Sequence, residues 1–274
     1  MTSQTIKPEE GAVKEAFNKQ SASFDSLYGP NPIISYKRDR VRALVLAHLG
    51  PGQKILELNA GTGEDAVYFG QRGFFVHATD ISEGMQSVLD RKVRQAGLQH
   101  WVSRELCSFT DLSALKAKGP YDLIFSNFAG LNCTDKLGQV LDSFPALLKP
   151  GGRVVLTVLP PFCLWEAMLA LRGDFKRAFR RFFSGNGAAA RIEGVDFTCW
   201  YYPPGFISRR LAASFDTLQL EGLCVLVPPS YLETFPARFP RCYSLLASLE
   251  QRWKSSWPWR SIGDYYLIAL QKKP

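Results

Sequence analysis

Long apolar runs are missing from this chain. No stretch approaches the ~20 consecutive apolar residues that a membrane-spanning helix needs. The opening stretch, MTSQTIKPEEGAVKEAF, lacks the apolar core of a secretory signal, and the cytoplasm is the expected location. Histidine is scarce, with only His48, His77 and His100. That leaves few candidates for a general base near neutral pH. The six cysteines, Cys107, Cys133, Cys163, Cys199, Cys224 and Cys242, form no C-x-x-C pair. Neither a zinc site nor a disulfide framework is indicated, and no metal is expected. Internal repeats, low-complexity tracts and long Lys/Arg runs are also missing, which disfavours solenoids and basic RNA-binding arms.

What remains is a globular composition of 274 residues, 46% hydrophobic and 21% charged, enough for one large domain or two small ones. The net charge of +8 is lopsided. Residues 1–150 hold 17 Lys and Arg against 16 Asp and Glu, whereas residues 151–274 hold 16 against 9. A surplus of +7 in the second half fits an anionic substrate, an acidic partner, a membrane surface, or plain solubility.

One stretch organises the chain. Ile55-Leu56-Glu57-Leu58 reads as a buried strand, Asn59-Ala60-Gly61-Thr62-Gly63 as a sharp turn, and Glu64 as the start of a helix. Gly61 and Gly63 allow backbone conformations that a Cβ would oppose and let a ligand come close. Asn59 is a residue that tolerates left-handed backbone. Such a turn binds either a dinucleotide or S-adenosylmethionine (SAM), and Gly61 through Ala66 fits the loose G-x-G-x-x-A pattern. Charge separates the two. A pyrophosphate seeks a positive helix N-terminus. Glu57, Glu64 and Asp65 surround this turn with three carboxylates, which suit a sulfonium and an ammonium better than phosphates.

The segment resembles the first motif of class I SAM-dependent methyltransferases, an acid two places before G-x-G-x-G, with Asn59 at the first glycine. Later segments extend the resemblance in order. Phe74–Thr79 reads as a second strand ending in Asp80, 17 residues past Gly63. A carboxylate at that strand tip bonds ribose hydroxyls. Ser82 caps a helix to Ala96, with Met85 in its first turn. Cys107-Ser108-Phe109-Thr110-Asp111 lies where the family holds adenine. Tyr121–Phe128 is similar to the fourth-strand motif, with Ser126 and Asn127 at its carboxyl end. Leu148-Lys149-Pro150-Gly151-Gly152 turns into a Val-rich fifth strand, Arg153–Leu159. The lead-in, with Phe24-Asp25-Ser26-Leu27-Tyr28, resembles the N-terminal helices of ubiquinone/menaquinone-biosynthesis-type small-molecule methyltransferases, which close over the cofactor.

The resemblance implies an α/β fold: a Rossmann-like, seven-stranded, mostly parallel sheet with helices on both faces and an antiparallel last strand. Its expected organisation is N-terminal lid helices over 1–50, a SAM-binding core over 51–160, and a cap insertion with the last two strands over 161–274. The implied activity is methyl transfer from SAM to a small, apolar or aromatic acceptor, with S-adenosyl-L-homocysteine as product. The implied cofactor residues are Glu57, Asn59, Ala60, Gly61, Gly63, Asp80, Ile81, Met85, Ser108, Phe109, Asn127 and Tyr28. Tyr36 and Arg38 are within reach of the cofactor's methionine end in the same picture. Substrate-pocket candidates are Phe24, Asn132, Trp165, Tyr201 and Tyr202, with no catalytic base named. Alternatives are an RNA methyltransferase or a non-catalytic SAM-binding scaffold; no nucleic-acid partner is expected in the first reading. Leu164–Phe183 reads as helical, and its basic amphipathic half, 175–183, suits peripheral membrane contact or a solvated cap face.

Overall fold

The computed structural model describes residues 8–274. Its main sheet has seven strands: β1 (Lys54–Leu58), β2 (Phe75–Asp80), β3 (Val102–Leu106), β4 (Tyr121–Ser126), β5 (Leu148–Val158), β8 (Phe215–Leu223) and β9 (Tyr265–Lys272). Their spatial order is β3-β2-β1-β4-β5-β9-β8. Pairings from β3 through β5 are parallel, and β9 runs antiparallel to both neighbours. This is the expected Rossmann-like sheet. The strand order reverses between β1 and β4, so the carboxyl ends of those strands open a crevice for a ligand.

Alternation along the strands builds two cores. On one face, Leu56, Leu58, Ile124, Val154, Leu156 and Ile268 meet α6 (Leu137–Leu147) and α9 (Pro204–Leu211). On the other, Ile55, Val76, Leu123, Phe125, Val155 and Leu267 meet α3 (Pro32–Leu46), α4 (Glu64–Gly70) and α5 (Glu83–Gln95). Strands covered on both faces carry continuous apolar runs, as in β4. Asn31 caps α3 by accepting from the Ile33 and Ile34 amides, and Ser82 caps α5 by accepting from Met85.

The helical spacing of Val13, Phe17, Phe24 and Tyr28 does not give one continuous helix. The lead-in forms α1 (Pro8–Gln20) and α2 (Phe24–Tyr28), parted by a turn at Ser21–Ser23. The edge-strand pattern of residues 197–202 is met in part by β7 (Val195–Cys199), which pairs with β6 (Ala188–Ile192) in a separate two-stranded sheet. That hairpin packs on α1, with Phe17 and Phe197 ring centres 6.4 Å apart. The alanines of β6 have high helix propensity, which hid the strand. Tertiary pairing across Glu193-Gly194 decided it.

The continuous basic helix over 175–183 does not form. The segment holds α7 (Leu164–Ala167), a 3-10 turn over Met168–Arg172, and α8 (Phe175–Ala178). Gly173 adopts φ +79°, and the chain leaves helical geometry after Ala178. Arg181 turns inward and is buried against Glu166 and Asp264, at 2.7 and 2.8 Å. Lys37 of α3 completes this network at 2.7 Å from Asp264. Burial alone would raise the Asp264 pKa, but Lys37 and Arg181 hold it below the ordinary carboxylate range. A four-residue helix, α10 (Phe235–Arg238), and a 14-residue one, α11 (Pro240–Trp253), connect β8 to β9. Among the described residues, no helix is long and apolar enough to cross a membrane.

Candidate functional site

A cavity of about 800 Å³, mouth included, opens where β1 and β4 part. Its floor is the β1 turn. Asn59 at φ +46°, Gly61 at +55° and Gly63 at +79° bend the chain through left-handed conformations. The Asn at the first glycine position has a visible reason. Its Nδ2 donates to the Asn127 carbonyl at 3.0 Å, and its Oδ1 accepts from Ser126 Oγ at 2.6 Å. The side chain therefore ties the tip of β1 to the tip of β4. Gly130 makes the room, since a Cβ there would overlap the Asn59 side chain. Gly61 faces open space, whereas a Cβ on Gly63 would strike Leu89 at 2.6 Å. Gly61 thus belongs to the cavity and Gly63 to helix packing.

Two carboxylates stand at the floor. Glu57 is 3% exposed, and its Oε2 is buried without a hydrogen-bond partner. Burial, then the neighbouring Asp65, raise its pKa well above the ordinary carboxylate value; Arg38 and Arg42 pull the other way without prevailing. Asp80 is held differently. Its Oδ2 accepts the Gly61 N–H and its Oδ1 the Ser82 N–H, both at 2.8 Å. Burial still lifts its pKa above the usual value against those amide contacts. Each Asp80 oxygen keeps a lone pair for a further donor.

The other two acids of the turn are already neutralised. Asp65 pairs with Arg38 at 3.0 Å and Arg42 at 2.7 Å, and accepts from Asn127 Nδ2 at 2.9 Å. Glu64 pairs with Lys92 at the surface. The expected ring of three negative groups reduces to one carboxylate with an unsatisfied oxygen, Glu57. The reason lies in α3, whose Arg38 and Arg42 reach α4. The surroundings fit a cationic, hydroxyl-bearing ligand. An unpartnered acceptor sits in a dry wall, a polarised carboxylate waits 23 residues on, and no free cation was found at the turn among the described residues.

Apolar groups complete the walls. Ile81, Met85 and Phe109 flank one end, and Val13, Phe17 and Phe24 roof the other. The roof is latched by polar contacts to three loop tips. Thr62 Oγ1 donates to Asp25 at 2.6 Å, Ser82 Oγ to Asn18 at 2.6 Å and Ser108 Oγ to Glu10 at 2.8 Å. Cys133 also lines the cavity, and burial pushes its thiol up to about 12, which keeps it protonated near neutral pH.

Residues 55–152 match the family model for a methyltransferase domain. The chain is 31% identical over 156 residues to the ubiquinone/menaquinone biosynthesis C-methyltransferase UbiE of Shewanella frigidimarina, covering 53% of this chain and 57% of that protein. Residues 55–152 are thus a methyltransferase domain, and the similarity to SAM-dependent methyltransferases holds over that part of the chain. It is also 33% identical over 151 residues to the malonyl-[acyl-carrier protein] O-methyltransferase of Pseudescherichia vulneris, covering 54% of this chain and 53% of that one. The chain thus spans just over half the length of these relatives. Among solved structures, a putative SAM-dependent methyltransferase from Listeria monocytogenes aligns with a TM-score of 0.61 at 16% identity, covering 87% and 97% of the two chains. The [4+2]-cyclase SpnF aligns with a TM-score of 0.63 at 16% identity, covering 100% and 99%. Both likenesses concern the fold.

Of the residues the methyltransferase resemblance singled out, Glu57, Asn59, Ala60, Gly61, Asp80, Ile81, Met85, Phe109, Asn127 and Phe24 line the cavity. Others have structural partners elsewhere. Ser108 caps the turn after β3 and bonds Glu10. Tyr28 accepts from Gln20 and borders a neighbouring polar groove with Arg38 and Glu64. Asn132 clips the Leu159 backbone to the chain beyond β7, donating to the Leu159 and Trp200 carbonyls. Tyr202 donates to the Thr134 carbonyl. Tyr201 lies under the Arg181 guanidinium, and Trp165 is outside the cavity lining. Val13, Phe17, Thr62, Phe128, Gly130 and Cys133 line the cavity without having been singled out. Val13 and Phe17 lie one helical turn apart on α1, so a single face of that helix covers the cavity. The cluster Cys163, Glu166 and Asp264 converges within 4.8 Å, yet Arg181 and Lys37 already neutralise its carboxylates, which disfavours a metal there.

Proposed function

We propose that this chain transfers the methyl group of SAM to a small apolar or aromatic acceptor. One observation carries the reading: the buried, unpartnered oxygen of Glu57 in a cavity with apolar walls. Such an acceptor is costly in the empty protein and is relieved by a cationic donor. SAM supplies an electrophilic methyl carbon on a sulfonium and departs as the neutral thioether. Glu57 would accept hydrogen bonds from its ammonium. Asp80 would receive the ribose hydroxyls on its free lone pairs. Ile81, Met85 and Phe109 would enclose the adenine. Arg38, which borders the cavity while paired to Asp65, would face the methionine carboxylate. Phe17, Phe24 and Phe128 would exclude water, so that the acceptor meets the methyl in line in a dry site.

The name of one relative, a ubiquinone/menaquinone biosynthesis C-methyltransferase, supports a small apolar acceptor, whereas the other names a malonyl group on an acyl-carrier protein. A nucleic-acid acceptor is less favoured. Much of the basic surplus is paired or buried, as at Arg181, Arg210 with Asp142, and Lys254 with Glu221. A reducing compartment such as the cytoplasm suits the six cysteines, all of them free. A second reading keeps SAM binding without methyl transfer, since a cyclase shares the whole fold at a TM-score of 0.63.

Calorimetric titration with SAM, S-adenosylhomocysteine and NAD tests the cofactor. SAM binding without NAD binding is expected; the reverse, with the fold intact, defeats the proposal. Transfer of radiolabelled methyl from SAM to quinols and phenols then separates the two readings. Binding without any transfer across such a panel favours the second.

A further inference from the structure

The stretch from Met168 to Phe183 carries a contiguous apolar surface. Six large apolar side chains stand exposed within it: Met168, Leu171, Phe175, Phe179, Phe182 and Phe183. Leu171 is 85% exposed and Phe183 78%. Single exposed apolar residues are ordinary, but a contiguous set marks a contact surface. The rings also associate with one another. Phe182 and Phe183 lie 5.2 Å apart edge-to-face, and Phe183 is 6.2 Å from Phe179.

Their exposure is built in rather than a frayed end. Between the rings, Arg181 is buried and hydrogen-bonds Glu166 and the side chain and carbonyl of Asp264. The network continues to Lys37 on α3. With Ala178 buried at the end of α8 and Arg181 drawn inward by the turn that follows, Phe179, Phe182 and Phe183 are left pointing outward. Arg172, Lys176, Arg177 and Arg180 are exposed on the same stretch; Arg177 lies 3.5 Å from Asp174, its one acid, and Arg180 3.2 Å from Glu166, both partly exposed pairs that headgroups can replace.

We propose that this surface docks on an anionic lipid membrane, the apolar side chains entering the acyl boundary and the four cations meeting headgroups. Charge complementarity selects this occupant. A second copy of the chain would bring four exposed cations against four. A water-filled acidic groove would satisfy the cations but leave Leu171 and Phe183 in an unfavourable setting. An anionic bilayer offers both halves at once. The buried Arg181 network holds the docking turn against the same α3 that supplies Arg38 to the cavity wall. The docking itself does not depend on the cofactor assignment.

Co-sedimentation of the full chain with phosphatidylcholine vesicles, with and without phosphatidylglycerol, tests the proposal. The expected result is binding to the anionic vesicles, weakened by salt and much reduced on neutral ones. Leu171→Ser, Phe182→Ser and Phe183→Ser should each lower the partition coefficient about tenfold. Arg172→Glu with Lys176→Glu should lower it at least about fivefold per site, on anionic vesicles only. These side chains are exposed, and an unchanged melting temperature will show that the variants fold. No vesicle binding by the folded wild type overturns the proposal. So does concentration-dependent dimerisation, or salt-sensitive RNA retention, that these same variants abolish in place of vesicle binding.

Discussion

Replacing Glu57 by Gln keeps the shape of the side chain and removes its charge, which makes it the sharpest test of the site. In the protein without ligand, the Glu57 carboxyl is buried, one oxygen is unpartnered, and its pKa is raised first by burial and next by Asp65. A raised folded-state pKa means that Glu57 contributes stability below its unfolded value and loses that contribution as pH rises through the folded value. The window therefore runs upward from the ordinary carboxylate range. In Glu57→Gln this slope should vanish, and the ligand-free variant should melt higher than wild type at neutral pH. Ligand binding should respond in the opposite direction. A hydrogen bond to a charged partner is worth about 1.5–3 kcal/mol, which is roughly a tenfold to hundredfold change in Kd for SAM. Because the carboxylate is already dry, little further desolvation offsets that gain. Wild-type affinity should rise with pH, with proton release on binding visible as a buffer-dependent calorimetric enthalpy. Glu57→Gln should bind weakly and without pH dependence over this window. Equal SAM affinity in both proteins at every pH, with no proton released, would refute the reasoning.

Three further outcomes follow from other parts of the structure. Asp80→Asn must set an amide N–H against either the Gly61 or the Ser82 amide, so it should lose about 1–3 kcal/mol in urea unfolding and about tenfold in SAM affinity. Gly130→Ala should push Asn59 off Ser126 and the Asn127 carbonyl, lowering stability by about 1–3 kcal/mol and weakening cofactor binding, while the double change with Asn59→Gly should recover part of both. Arg181→Met leaves Glu166 and Asp264 buried with reduced compensation and should cost about 3–5 kcal/mol. Asp264, held below the usual carboxylate range, adds stability that is lost as pH falls through its lowered value; Arg181→Met should flatten that acid limb in a urea titration at several pH values.

The parallel sheet and its ligand crevice were legible because they are local in sequence. Apolar runs at 55–58, 121–125 and 154–158, glycine at the turns, and an acid at the β2 tip each state their role within a few residues. The α5 cap at Ser82 was legible for the same reason. The reading failed where two distant residues decide one conformation. Arg181 sits in a helical, amphipathic pattern, yet Glu166 and Asp264 draw it inward and end the helix. Asp65 looked like a ligand for a cation until Arg38 and Arg42, more than twenty residues earlier, were placed beside it. Cys199 and Ala188 pair only because a hairpin at Glu193-Gly194 folds onto α1.

The pairing of Asp65 with Arg38 and Arg42 also sets the charge of the cavity. Three unpaired carboxylates would have made a strongly negative pocket, attractive to many cations, divalent metals included. Arg38 and Arg42 cancel Asp65, and Lys92 cancels Glu64, so the field narrows to Glu57 with Asp80 beside it. One unsatisfied oxygen in an apolar wall selects a single hydrogen-bonding cation attached to an apolar body, because a fully hydrated ion would lose more solvation than one carboxylate returns. In the proposed cofactor reading, selectivity for an ammonium-bearing conjugate over a metal ion therefore arises from the pairing of the neighbouring acids, and α3, outside the glycine motif, is the element that imposes it.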